Sequence, residues 1–503
     1  MPFEPNFNEI YLTQRKGSLT AKQKVECKAD VASDGVSRIL NIWAKPTVYS
    51  SAVQGDTVEY QGVVTFFVCY LDFDGEVKKC ECGSEFKGSL KGENSLENAK
   101  VNFSVSVQKT DGDLSGLKLG VSANLLIKAN VVSSEGVKTL SGSEGLVVNS
   151  KELTYYKGLG VRETTYPLTE EFEVSGAIGE VLCQSADAVI TSVQCGVGCI
   201  IVDGQVYLSA IFLQSDDKKD IIRENKVFPF RMEIECEEAM PAMNATARVW
   251  EKSLKTDVSV DLENRSSTVL CTVNLVFEGE AYSQETSGVV FDAFSTTHEL
   301  EVLGRQVRFD NAIDLRSQTQ TVNGRAQTDE LPVGAVLLSS CGERAEVVSF
   351  ECTGEGLKVE GVLQTTAFLK DIDGKVFTRK LETPFSVALD TPVNQACACE
   401  VLCVAVCGKV KMISATEFEL ESTLVFTVYP WETSVAEIVS DVNLLGEKAC
   451  ENCAISVYIP MPNEDLWSLS KRLNVSPESL VETNPELQFP LSGKERIVIF
   501  RRK

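Results

Sequence analysis

Cysteine is the residue type in this chain with the clearest chemical potential, and four cysteines fall in one short stretch. Cys397, Cys399, Cys403 and Cys407 all carry odd numbers, so an extended strand would place them on one face. Zinc prefers thiolates from turns with Cys-x-x-Cys spacing over a linear ladder of this kind. Core packing as small apolar side chains is therefore the favoured interpretation, with oxidative cross-linking and metal binding as alternatives.

A second cysteine pair, Cys450-Glu-Asn-Cys453, does have the Cys-x-x-Cys spacing of a zinc site. A matching pair is missing nearby, so four ligands would require a distant pair such as Cys80-Glu-Cys82 or a second chain. We interpret this stretch as a linker. The sequence thus predicts neither a metal site nor a cofactor.

Other catalytic patterns are also absent from the sequence. The segments Asp72-Phe-Asp-Gly and Asp371-Ile-Asp-Gly resemble the start of a calcium loop but lack its remaining ligands. They are better explained as hairpin turns, in which Asp-Gly takes up the positive φ of a type I′ turn. His298 is the sole histidine and has no nucleophile elbow to pair with. We therefore predict that the protein is not an enzyme.

Length and charge narrow the functional classes further. A chain of 503 residues is long enough for three or four domains. Its net charge of −24 argues against nucleic-acid or anionic-membrane binding as the main role. The count of 17 cysteines is odd, and the first residues lack the pattern of a signal peptide. We expect an intracellular protein with reduced thiols and without a membrane span.

An internal repeat dominates the first 430 or so residues. Each copy has a glycine, an alternating apolar run, a polar turn and then a phenylalanine that begins a second alternating run. The phenylalanine follows its glycine after 24, 26 and 24 residues. The three pairs are Gly62 and Phe86, Gly204 and Phe230, and Gly361 and Phe385.

Runs rich in Val, Thr, Phe, Ile and Tyr follow each copy, which favours strands over helices. We predict a mainly β protein with three antiparallel, sandwich-like domains at 1–150, 160–292 and 300–432, without assigning a sheet order. Residues 433–454 are predicted to form a linker. Apolar residues at helical spacing in 435–445 predict a short helix within it.

The final segment, 455–503, has a different pattern. Ser456 to Ile459 reads as a short strand, and Leu466, Leu469 and Leu473 share one helix face. Ser476 and Pro477 mark the start of a second helix. A closing strand at 496–500 completes a predicted strand–helix–helix–strand order. We call residues 455–503 the C-terminal module.

The motif Leu466-Trp-Ser-Leu-Ser-Lys-Arg-Leu-Asn-Val-Ser, followed by Leu480 and Asn484-Pro485, resembles the LysM family. The resemblance implies a shallow groove between two loops, which in LysM domains usually holds N-acetylglucosamine chains. The groove residues would be Asn463, Glu464, Asp465, Leu466, Asn484, Pro485, Glu486, Leu487, Gln488 and Phe489. The predicted core of the module is Trp467, Leu469, Leu473, Leu480 and Ile497.

One loop departs from the family pattern. Where LysM domains have Gly-Asp-Thr, this chain has Asn463-Glu464-Asp465, so close approach of a sugar to the backbone is disfavoured. Seven Lys or Arg against six Asp or Glu give the module a charge of +1, which leaves −25 for the preceding body. Both features favour a protein ligand over a glycan.

Three β-rich units followed by one LysM module resemble the SPOCS-domain spore-coat morphogenetic proteins of endospore-forming Clostridia. The repeated Gly-x-Val pattern ending in Phe carries the SPOCS part of the match. This resemblance implies a non-enzymatic scaffold in the mother-cell cytoplasm, at the forespore surface. Its LysM module would dock on a coat morphogenetic ATPase of the SpoIVA type, with self-association as a further contact. The alternative is a peptidoglycan-binding protein that acts through the module.

Overall fold

A computed structural model describes residues 5–31, 35–93, 95–96, 99–115, 118–143, 145–215, 220–261, 263, 266–353, 356–391, 397–448 and 455–500. About four fifths of these residues lie in antiparallel β-strands, and two short helices occur near the C-terminus. The predicted mainly β class is therefore confirmed.

The first unit contains six strands in two three-stranded sheets. One sheet has the order β1-β6-β5 and the other β2-β3-β4. The strands are β1 (Asn6–Asp30), β2 (Arg38–Gln54), β3 (Thr57–Leu71), β4 (Val77–Lys91), β5 (Lys100–Ser115) and β6 (Lys118–Gly142).

The second unit repeats this order. Its sheets are β7-β12-β11 and β8-β9-β10. The strands are β7 (Leu146–Ser175), β8 (Ile178–Cys195), β9 (Cys199–Gln214), β10 (Ile221–Glu235), β11 (Asn244–Asp261) and β12 (Ser266–Ser295).

The third unit has the same arrangement with its first strand divided. Both β13 and β14 pair with β19, as does β18, while β15, β16 and β17 form the other sheet. The strands are β13 (His298–Ala312), β14 (Arg316–Gln327), β15 (Val336–Thr353), β16 (Gly356–Lys370), β17 (Val376–Leu389), β18 (Cys397–Met412) and β19 (Glu417–Glu447).

The repeated glycine and phenylalanine form a cross-strand pair in every unit. Gly62 on β3 lies opposite Phe86 on β4, and a Cβ added to the glycine would overlap both the Phe86 ring and the Thr47 carbonyl oxygen. The register of the strand on the other side shifts beside the glycine, between Val48 and Ser50. Glycine is required because the shifted backbone and the aromatic ring both approach it closely.

The other two units contain the same cross-strand pair of glycine and phenylalanine. Gly204 pairs with Phe230 and Gly361 with Phe385. In both, a Cβ would overlap the ring and a carbonyl oxygen of the neighbouring strand. The register shifts at the corresponding points, between Ile190 and Ser192 and between Val347 and Ser349.

The Asp-x-Asp-Gly segments are hairpin turns, as predicted, but not of type I′. The Asp72 carboxylate accepts hydrogen bonds from the backbone N–H of Asp74 at 3.0 Å and of Glu76 at 2.8 Å. Gly75 has a φ of +82°, whereas Asp74 does not have a positive φ. A type I′ turn needs positive φ at both central residues, so that assignment is wrong. Asp371 makes the same two bonds in the third unit.

The three units meet in shared apolar clusters. One cluster contains Cys69, Ile211 and Phe368. Each of them lies seven residues after the repeated glycine of its own unit. A second cluster joins the long strands at the other end of the units. Its residues are Ile10, Leu12, Val137, Tyr155, Val289, Val307, Phe309, Ala436 and Ile438. The three units therefore bury apolar surface against one another and not only within themselves.

The helix predicted at 435–445 is wrong, because β19 continues to Glu447 and pairs with β13. Ala436 and Ile438 are buried while Val435 and Glu437 are exposed, which is the period of a strand. A register shift opposite Leu303 and Gly304 then changes which residues of β19 face inward. Because of this change, the apolar residues of the strand have a spacing that resembles that of a helix. The strands also cross the predicted domain limits. The first strand of the second unit, β7, begins at Leu146, before the predicted limit at 150, and β19 continues to Glu447, past the predicted limit at 432 and into the predicted linker.

The C-terminal module has the predicted strand–helix–helix–strand order. Its elements are β20 (Ile455–Tyr458), α1 (Leu466–Leu473), α2 (Pro477–Thr483) and β21 (Ile497–Phe500). The two strands pair antiparallel. The helices pack against one face of this small sheet around a separate apolar cluster.

Candidate functional site

Local capping explains where the two helices of the module begin. The Asp465 carboxylate accepts a hydrogen bond from the backbone N–H of Ser468 at 2.7 Å. The Ser476 hydroxyl accepts from the N–H of Ser479 at 3.2 Å, and Pro477 follows at the first helical position. Each cap satisfies an N–H group that has no partner inside its helix. Asp465 therefore has a structural role in the predicted groove loop.

Backbone hydrogen bonds tie the predicted groove loop at 463–465 to Leu491, two residues past the predicted groove loop at 484–489. The Asn463 N–H donates to the Leu491 carbonyl at 2.8 Å, and the Leu491 N–H donates to the Glu464 carbonyl at 3.0 Å. Asn463 has a φ of +63°, a conformation that asparagine tolerates better than most residues. The structure thus brings the 463–465 loop against the segment that directly follows the predicted 484–489 loop.

Glu464 is bound within the module. Its carboxylate accepts two hydrogen bonds from the Arg472 guanidinium, at 2.8 and 2.9 Å, and a third from the Met461 N–H at 2.8 Å. These donors hold the pKa of Glu464 below its ordinary value. The acidic residues at 463–465 therefore do not present a free acidic surface, and they do not by themselves argue for a protein ligand.

Asn484 also has a structural role. Its side-chain amide donates to the carbonyls of Leu480 at 3.0 Å and Val498 at 2.8 Å, and its oxygen accepts from the Val498 N–H at 2.8 Å. The residue thereby ties the end of α2 to β21. This explains the position of asparagine in the motif without a glycan.

The remaining groove residues divide into two groups. Leu466, Leu487 and Phe489 are half-buried and pack against the apolar cluster of the module. Pro485, Glu486 and Gln488 are exposed.

Four of the five predicted core residues lie in the core of the module. Leu469, Leu473, Leu480 and Ile497 are buried in its apolar cluster. Trp467 is not a member of that cluster and is only half-buried. Its assignment to the module core is wrong, because its position on α1 directs it outward, away from the face that carries Leu469 and Leu473.

Trp467 instead contacts the second unit of the body. Its indole N–H donates to the Asp292 carboxylate at 2.8 Å, and its ring meets Phe294 edge-on with centroids 5.2 Å apart. Lys471, one turn further along α1, donates to both Asp292 oxygens at 2.7 and 2.8 Å. The outer face of α1 is therefore anchored to the end of β12.

The sheet of the module has an exposed apolar face that is not among the site residues predicted from the sequence. Ser456 and Tyr458 lie opposite Ile499 and Ile497 on the inner side. On the outer side Ile455, Val457 and Phe500 are 59%, 60% and 62% exposed. Ile459 and Met461 follow β20 in the chain and are 69% and 60% exposed. We call these five residues the outer sheet face.

Its sequence signal was the alternation of Ile455, Val457 and Ile459 with polar or buried residues. A strand pattern shows that such residues share a face but not which face meets solvent. Lys494 and Arg496, both exposed, lie just before β21. The outer sheet face is thus apolar with basic residues beside it.

The cysteine ladder is only partly as predicted. Cys399 and Cys403 face the core of the third unit, and burial raises the pKa of Cys403 to about 12. Cys407 has a φ of +54° and lies where the register shifts between Val406 and Lys409. Because the shift reverses the alternation, Cys407 packs in a different cluster, with Val406. The side chain of Cys397 is outside the described residues.

Catalytic and metal-binding alternatives find no assembled site in the described part of the chain. No group of three or more His, Cys, Asp and Glu side chains is placed to hold a metal there. The Cys450–Cys453 pair lies outside the described residues. The His298 Nδ1 lies 2.8 Å from the Thr297 hydroxyl, at the start of β13.

A cavity of about 40 Å³ lies between the units, lined in part by Arg15, Arg248, Tyr282 and Tyr429. This volume suits one or two water molecules and not an organic substrate. Arg248 forms an ion pair with Glu400 and lies over the Tyr429 ring, 4.6 Å from its centroid. The Arg248 guanidinium is therefore already engaged by side chains of the body.

No family model, curated protein or solved structure matched this chain. None of the helices in the described residues has the length and apolar character needed to cross a membrane.

Proposed function

We propose that the protein is a non-enzymatic scaffold of spore-coat assembly, whose C-terminal module docks on a coat morphogenetic ATPase of the SpoIVA type at the forespore surface. The motif resemblance to SPOCS and LysM proteins suggests the biological setting. The observation that carries the proposal is the outer sheet face, which presents five large apolar side chains to solvent.

Exposed apolar side chains in a continuous patch favour a macromolecular ligand. Covering an aliphatic side chain that is already part-buried contributes roughly 1 kcal/mol, so five such residues supply a useful part of a protein-binding energy. A sugar chain needs instead a row of free hydrogen-bonding groups. In the predicted groove the Glu464 and Asn484 side chains are already hydrogen-bonded within the module.

The body supports the scaffold role by its size and its rigidity. Three β units share buried clusters, so they would hold the module at a fixed position relative to other coat components. Self-association through the body is the second contact of this proposal.

Localisation in sporulating cells tests the proposal. A fluorescent fusion of the full chain is expected to form a ring around the forespore, and Val457→Glu is expected to leave it dispersed. Val481→Glu is the matched control, because Val481 is an exposed apolar residue on α2, outside the outer sheet face. A ring that persists in Val457→Glu would contradict docking through this face.

Sedimentation with insoluble peptidoglycan tests the alternative, in which the module binds peptidoglycan and not a protein. The purified chain is expected to stay in the supernatant. Strong retention that is lost on substitution of the exposed groove residue Gln488 would support glycan binding and overturn the protein-docking proposal.

A further inference from the structure

The two sheets of the first unit meet along an open edge, where β1 runs beside β4. The Gln23 side-chain amide donates to the Lys87 carbonyl at 3.2 Å. Four residues further along, the Cys27 thiol donates to the Gly83 carbonyl at 3.2 Å. From the first bond to the second, the residue number rises by four on β1 and falls by four on β4. The two strand edges are therefore antiparallel. This alignment places Cys27 against Cys82 and Gly83.

The two thiols lie close together at this edge, since Cys27 reaches the Gly83 carbonyl and Cys82 is the preceding residue on β4. Burial, and then the neighbouring Cys27 thiol, raise the pKa of Cys82. Both residues are partly exposed and partly packed against the core of the first unit. A small oxidant can therefore reach them, whereas Cys69 and Cys341 are fully enclosed between the units.

In the second and third units, different side chains meet at the corresponding edge between the two sheets. Lys226 lies four residues before Phe230, as Cys82 lies four before Phe86. In the second unit Lys226 lies over the Phe172 ring at 5.1 Å, and Phe228 packs against that ring. In the third unit Gly324 faces Thr383. Among the described residues, thiols face each other across this edge in the first unit alone.

We propose that Cys27 and Cys82 are a redox modification site, at which a peroxide converts the two thiols into a disulfide between the two sheets. The Cys27 thiolate attacks one peroxide oxygen, which yields a sulfenic acid and releases the other oxygen as water. The Cys82 sulfur then attacks the sulfenic sulfur and displaces a second water. Two thiols lose two electrons in all, and one hydrogen peroxide is reduced to two waters.

The disulfide would add a covalent constraint to the first unit where side chains, among them Gln23 and Cys27, connect β1 with β4. It would link residues separated by β2 and β3, so the unfolded chain would lose much of its freedom. Oxidation is therefore expected to raise the melting temperature of the body, and a dithiol reductant to reverse the change.

The test uses the full chain treated with hydrogen peroxide, followed by blocking of free thiols, proteolysis and mass spectrometry. We expect a cross-linked peptide pair that joins Cys27 to Cys82, together with a rise in melting temperature. Cys80→Ser is the matched control, because Cys80 lies two residues away on the same strand and face. It is expected to keep both effects.

Cys27→Ser and Cys82→Ser should each abolish the cross-link and the rise in melting temperature. Each variant should otherwise melt like the reduced protein, which shows that it has folded. Free Cys27 and Cys82 after peroxide treatment, or cross-links that involve Cys80 or a second chain equally often, would overturn the proposal.

Discussion

The contacts among the three β units differ in kind from the contact between the body and the C-terminal module. The units share buried apolar clusters, in which Phe368 and Leu71 are fully enclosed. The module has its own cluster and meets the body through Trp467, Lys471 and Asp292. Large shared apolar clusters make regions unfold together, whereas a small and partly exposed contact such as that of Trp467 and Lys471 leaves them separable.

This difference indicates a division of roles. The three units of the body are joined by shared apolar clusters, and the module is a small separate fold with α1 anchored to β12 and the outer sheet face exposed. The Lys448 ammonium adds to the anchor, since it donates to the Ser295 carbonyl at 2.9 Å and also contacts Asn474. The anchored side of α1 leaves the outer sheet face exposed.

The largest expected effect comes from a residue where all three units meet. Phe368→Ala removes a fully buried ring that stacks against Trp43. We expect a loss of about 4 kcal/mol in the free energy of unfolding, because the substitution leaves a cavity in a shared cluster. Urea denaturation should show one earlier transition for the whole body.

Leu469→Ala provides the matched comparison, since Leu469 is equally buried but lies in the module. It should unfold the module while the transition of the body stays in place. If Phe368→Ala shifts only one unit, or if Leu469→Ala shifts the body, the contrast between the two regions is wrong.

The glycine that faces a phenylalanine gives the next largest effect. Gly204→Ala places a methyl group against the Phe230 ring and the Val189 carbonyl, and we expect it to cost about 2 kcal/mol. Gly288→Ala is the control, because a Cβ there meets no atom within 4 Å. Thermal melting of both variants checks this, and equal melting temperatures would refute the role assigned to the pair.

A smaller effect is expected at the anchor of the module. Asp292→Asn weakens the hydrogen bonds from Trp467 and Lys471, with an expected cost of about 1 kcal/mol, since the site is partly exposed. Limited proteolysis should release the module faster from this variant. Asp257→Asn, at an exposed ion pair with Lys255 on β11, should leave the cleavage rate unchanged.

The smallest effect concerns pH and is confined to the module. Arg472 and the Met461 N–H lower the pKa of Glu464, and backbone and side-chain donors at Ser492 lower that of Glu495 to about 2. Carboxylates with depressed folded-state pKa values stabilise above their unfolded pKa, about 4.3, and this contribution is lost as pH falls through the folded value.

The module should therefore lose stability from about pH 4.3 towards pH 2. Glu464→Gln should flatten this dependence, as followed by the melting temperature of the module between pH 6 and pH 3. An unchanged pH profile in the variant would contradict the role assigned to the pair with Arg472.

The repeat could be predicted because it depends on local chemistry. Only glycine tolerates the close approach of a phenylalanine ring and a shifted backbone, so the Gly204 and Phe230 spacing is visible without coordinates. Likewise Ser476 and Pro477 mark the start of α2 through interactions with the next few residues. The core leucines of α1 were found in the same way.

Features that depend on register or on distant residues could not be predicted. A single bulge turns Cys407 away from Cys403, and another makes the strand at 435–445 look helical. The spacing on α1 gives no sign that Trp467 leaves the module core, because its partners, Asp292 and Phe294, lie about 175 residues earlier. Sequence spacing says nothing about such contacts.

The central claim is that the module binds a protein through its outer sheet face while α1 anchors it to the body. The most direct test is a titration of the proposed partner, a purified coat morphogenetic ATPase of the SpoIVA type, with the full chain in wild-type, Val457→Glu and Val481→Glu forms. We predict that Val457→Glu weakens binding at least tenfold, about 1.4 kcal/mol, and that Val481→Glu binds like the wild type. Equal affinity of all three forms, or no binding by the wild type, would contradict the claim.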